Sequence, residues 1–64
     1  MDAIEFLEFY KRLPTRTDQK ILRHRIILEC KIKKSTFYSW INRGNVPDEK
    51  ALIIIADIIK SIHN

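Results

Sequence analysis

KKSTFYSWINRG, residues 33–44, gathers two lysines, three hydroxyl residues, three aromatics and a closing glycine. Wound as a helix at about 100° per residue, the stretch divides in two. Phe37, Trp40 and Ile41 share one side, and Lys34, Ser35, Tyr38, Ser39 and Asn42 share the other. Large apolar residues at helical spacing are core anchors. The opposite side is polar throughout but holds one full charge, and is rich in short or planar hydrogen-bonding groups. A merely solvated face in so charged a chain would carry more Glu and Lys. Ser, Asn and Tyr can approach base edges with little repulsion, Asn bonding adenine in bidentate fashion and Ser tolerating any base. Lys33 and Lys34 stand at the start of the helix, where backbone amides favour a phosphate. The expectation is a helix that packs with its aromatic side and reads DNA with its polar side.

Working outward, one glycine, two prolines and abundant Leu, Ile and Lys point to an all-α chain. Its punctuation predicts four helices in a compact domain, over about 2–12, 17–30, 33–43 and 48–62. Phe6, Leu7, Tyr10 and Leu13 fall at helical spacing in the first, and Pro14 ends it, because the residue before a proline avoids helical geometry. Thr15 or Thr17 can cap the second, with Asp18 in its first turn favoured by the helix dipole. Leu22, Ile26 and Cys30 form an i, i+4, i+8 stripe there, which makes Cys30 a small core residue. Gly44 suits a left-handed stop after the third helix. Asp48 caps the fourth.

Sixty-four residues are expected to form a single domain with a small core. One cysteine forms no internal disulfide, and with two scattered histidines it supplies no standard zinc site. No metal or other cofactor is expected. The opening MDAIEFLEF is acidic and does not read as a signal peptide. The longest apolar run, residues 51–56, is too short to span a membrane. A cytoplasmic protein with no membrane association is expected. No Gly-rich phosphate loop occurs, and His24 and Cys30 lie on different faces of one helix, so an enzyme is not expected.

Charge separates along the chain. Residues 9–47 hold ten bases and two acids, a net of +8, while the two ends together carry −4. Such asymmetry fits one surface made for a polyanion and another made for something else.

The segment 23–56, RHRIILECKIKKSTFYSWINRGNVPDEKALIIIA, resembles the helix-turn-helix of the lambda-repressor-like (phage repressor and Cro) family. Ile26 and Cys30 match apolar positions of the first motif helix, Ile32 follows the turn, and Phe37 and Trp40 match the second. Thr36, Gly44, Pro47, Leu52, Ile55 and Ala56 also agree with the family pattern, as found in short stand-alone bacterial and phage members. The resemblance implies a central helix-turn-helix and a sequence-specific, repressor-like transcriptional regulator bound to double-stranded DNA. Base contacts would fall on Lys33, Lys34, Ser35, Tyr38 and Ser39, and phosphate contacts on Arg23, Asn42 and Arg43. Arg25 and Lys31 are expected to add phosphate contacts through their charge.

Four departures are expected to re-angle the motif, one of them that Gly44 comes one residue later than the family's usual glycine. Lys31 stands where the family's turn has Gly, and a left-handed backbone there would cost about 1 kcal/mol. Lys33 replaces the Ser cap of the reading helix, forfeiting about 1 kcal/mol. Ile27 replaces a small residue where the two motif helices cross.

On the last helix, eight apolar residues fill an arc of roughly 200°, wider than the stripe of about 100° upward that one core demands. The surplus predicts a homodimer with Ile54, Ile58 and Ile62 as its seam, and two reading helices roughly 34 Å apart. The competing expectation is that the first helix folds back and covers these residues. A second functional reading is a helix-turn-helix-derived module that binds a protein, as an antirepressor, antitoxin-like partner or virion component, through this isoleucine face.

Overall fold

Four helix starts organise the chain, three of them set by a side-chain cap. The computed structural model describes residues 1–63, with helices α1 (Ala3–Lys11), α2 (Arg16–Cys30), α3 (Lys34–Asn42) and α4 (Glu49–His63), and no strand among the described residues. Asp2 takes extended backbone angles, and its carboxylate accepts from the Glu5 amide at 2.8 Å. Thr15 Oγ1 accepts from the Asp18 amide at 3.1 Å and donates to the Asp18 carboxylate at 3.0 Å. Asp48 accepts from the Ala51 amide at 2.8 Å. Each cap satisfies an amide that the helix itself cannot, worth about 1 kcal/mol. The observed bounds stand within one residue of those expected at each end.

The core is built around Phe37. Its ring meets those of Tyr10 at 5.4 Å, Phe6 at 6.2 Å and Trp40 at 6.2 Å between centroids. Tilted and edge-on contacts of this kind add about 0.5–1.5 kcal/mol each beyond area burial. Leu22 and Ile26 of α2 and Ala51, Ile55, Ile58 and Ile59 of α4 complete the cluster. α4 packs across α2 and α1, and α3 leans on α2. The Gln19 side-chain amide donates to the Tyr10 carbonyl at 3.1 Å, fastening the end of α1 to the start of α2.

α4 corrects one expectation. Ile58, placed from sequence at a seam between two chains, is 2 % exposed within this chain's own core. The reason is α1, which folds back against α4 and brings Phe6 and Tyr10 into the same cluster. Ile54 is half-buried against that cluster, and Ile62 stays exposed. The wide apolar arc is therefore covered in large part from within.

Candidate functional site

α3 is oriented by what it buries. With Phe37 and Trp40 in the core, Ser35, Tyr38 and Asn42 are exposed and Ser39 is half-buried. These four side chains and Arg43 line one shallow depression of about 250 Å³. Its walls are hydroxyls, an amide and a guanidinium.

Tyr38 is held from two directions. Its ring stands edge-on to Phe37, 6.1 Å between centroids and 78° between planes. The guanidinium of Arg23, reaching across from α2, lies over the ring at 5.6 Å. A cation over an exposed aromatic face gains about 0.5–1 kcal/mol. The geometric consequence is larger: a half-buried cation of α2 is parked beside the polar face of α3.

The turn between the two helices carries the expected departures. Lys31 caps α2 with φ 55° and ψ 45°, the one non-glycine residue with positive φ among those described. Its amide and that of Ile32 both donate to the Ile27 carbonyl. Lys33, in extended geometry, begins α3 without a side-chain cap bond. The first amides of α3 are thus left without the cap that Asp2, Thr15 and Asp48 give the other helices. Lys31, Lys33 and Lys34 are all exposed there.

Arg25 does not join this group. Its guanidinium pairs with Glu29 at 3.3 Å, one turn along the same helix. Two residues along a helix turn through about 200°, so Arg25 projects from the side of α2 opposite Arg23. The expected phosphate set therefore divides: Arg23 and Arg43 flank the α3 depression, and Arg25 belongs to another surface. Ile54, from the expected seam, lines a groove of about 450 Å³ with Cys30, Trp40, Val46 and Asp48. Burial, and then the carboxylates of Asp48 and Glu29, push the Cys30 thiol above its ordinary value, so it stays protonated at neutral pH.

Neither the Arg23–Tyr38 stack nor this groove was visible in the sequence. Both join residues from different helices, and no local spacing signals them.

Among the described residues no group of His, Cys, Asp and Glu side chains is gathered as for a metal ion, and no helix is long and apolar enough to cross a membrane. No protein-family model, curated protein or solved structure matches the chain. What the site does has to follow from its own chemistry.

Proposed function

We propose that this chain is a small sequence-specific protein of the lambda-repressor-like kind, a repressor-like transcriptional regulator that binds double-stranded DNA and acts in the cytoplasm. One observation carries the reading: the outer face of α3 presents Ser35, Tyr38, Ser39, Asn42 and Arg43 around a single depression. A major groove about 12 Å wide admits a helix, and these side chains offer the donors and acceptors that base edges require. In this reading Lys34, Ser35, Tyr38 and Ser39 contact bases. Arg23, Lys31, Lys33, Asn42 and Arg43 contact phosphates, and the uncapped start of α3 turns its amides toward one.

The second reading, a protein-binding module, draws on the exposed Ile53 and Ile62 of α4. The homodimer loses its central seam residue with Ile58 in the core, so self-association must use other residues.

The test is fluorescence anisotropy of a labelled random-sequence duplex pool at about 50 and 200 mM salt, with wild type and a Lys34→Ala, Tyr38→Ala, Asn42→Ala triple variant. Salt-sensitive binding that the variant weakens supports a DNA-facing α3. No binding at low salt by a folded protein turns the reading toward a protein partner.

A further inference from the structure

Arg23 and Arg25 stand two residues apart and are held in different ways. Arg25 has a carboxylate one turn along, Glu29, and pairs with it at 3.3 Å. The helical neighbours of Arg23, three and four residues away, are Gln19, Lys20, Ile26 and Ile27, none of them acidic. α3 carries no acidic residue either. Among the described residues Arg23 forms no ion pair and no side-chain hydrogen bond. What its half-buried guanidinium meets is the Tyr38 ring, 5.6 Å away.

The contact acts on Tyr38 as much as on Arg23. An exposed tyrosine ordinarily samples more than one rotamer. Here the ring lies between Phe37, which is fully buried, and the guanidinium from α2. A side chain free to swing accepts several donor and acceptor patterns, so a reading group discriminates only when it is held in one place. With a cation over it, that face of the ring is closed to an unpaired base. Its hydroxyl remains, and a hydroxyl suits the edge of a paired one.

We propose that Arg23 is a positioning residue for base recognition: its guanidinium plane fixes the Tyr38 ring, and through it the base pair that Tyr38 prefers. The N–H groups of the guanidinium stay available to a phosphate. This role rests on the DNA-binding reading above and adds to it, since a phosphate contact alone carries no sequence information. Lysine separates the two duties. It keeps the charge for a phosphate, but its ammonium is compact and strongly hydrated and has no plane to lay on a ring.

Competition anisotropy tests the role. The competitors are the duplex that wild type selects from a random pool and the single-base-pair variants of that duplex. The proteins are wild type, Arg23→Lys, Tyr38→Ala and the double variant, each checked for folding by circular dichroism. Tyr38→Ala identifies the base pair whose preference depends on Tyr38. Arg23→Lys should bind the unselected pool within about twofold of wild type, with the same log–log salt slope. Its preference at the Tyr38-dependent base pair should nevertheless fall about 2–5-fold. Added to Tyr38→Ala, Arg23→Lys should change that preference no further. Should Arg23→Lys fail to fold, Arg23→Gln takes its place, with preference as its readout. Full preference in Arg23→Lys, a further loss in the double variant, or a Tyr38→Ala that keeps every preference overturns the positioning role and leaves DNA binding standing. A wild type that binds no duplex overturns both.

Discussion

The Arg23 guanidinium lies over the Tyr38 ring at 5.6 Å, joining α2 to the exposed face of α3. The stack should be measurable as a coupling energy. Tyr38→Ala and Arg23→Ala should each lower stability in urea, and the double variant should fall short of their sum by about 0.5–1 kcal/mol. Tyr38→Phe should keep the coupling, since the ring face remains. Strict additivity would mean the stack carries no energy in solution.

Tyr38 and Arg43 line one depression but should act differently on DNA. Replacing Tyr38 with Ala is expected to change which sequences are preferred in a selection from random duplexes. Replacing Arg43 with Ala should weaken all of them alike and reduce the log–log salt slope by about 0.9. If neither change alters binding, the proposed reading surface is wrong.

The lysines of the α2–α3 turn set stability against charge. Lys31→Gly relieves a left-handed backbone, and Lys33→Ser supplies the missing cap of α3. Each should raise stability by about 1 kcal/mol. On the proposed DNA-binding reading each should also bind DNA less tightly, having lost an exposed cation. Urea midpoints and anisotropy on the same samples would show whether the two effects oppose one another.

Ile58 offers a test of core against seam. Ile58→Ala should cost about 2–5 kcal/mol, and the loss should be the same at every protein concentration. A destabilisation that grows on dilution would instead place Ile58 between chains.

Cys30 gives the chain a pH dependence above neutrality. Its thiol is raised by burial, then by Asp48 and Glu29, so the folded state holds that proton more tightly than the unfolded state does. The associated stability is complete below the unfolded thiol's value and disappears as pH rises through the folded one. Urea midpoints should therefore fall from neutral to alkaline pH more steeply in wild type than in Cys30→Ala. Parallel declines would assign the loss to other groups. Alkylation of Cys30 at neutral pH should also be slower than that of a free thiol.

Much of this fold is legible in residue order, and the limits are physical. Asp2, Thr15, Asp48, Pro14 and Gly44 act within a turn of their own position, so they mark the helices without knowledge of the fold. The split of α3 into Phe37 and Trp40 against Ser35, Tyr38 and Asn42 follows from helical period alone. Ile58 shows where period stops helping: a wheel tells which residues share a face, but not whether α1 or another chain covers it. Arg25 shows the same for charge, since counting bases ignores that Arg23 and Arg25 leave α2 on opposite sides. The Arg23–Tyr38 stack spans two helices, and only their packing creates it.

Gly44 ends α3 with φ +76°, and a β-carbon built on it would meet nothing within 4 Å. The position therefore constrains chirality and leaves size unrestricted. An L-residue there is strained by its backbone alone, whereas a D-residue is at home at positive φ and would reach only solvent. Chemical synthesis is practical at this length. A D-amino acid bearing a fluorophore could thus be installed one residue beyond Arg43, reporting on whatever approaches α3 without disturbing a single packed atom.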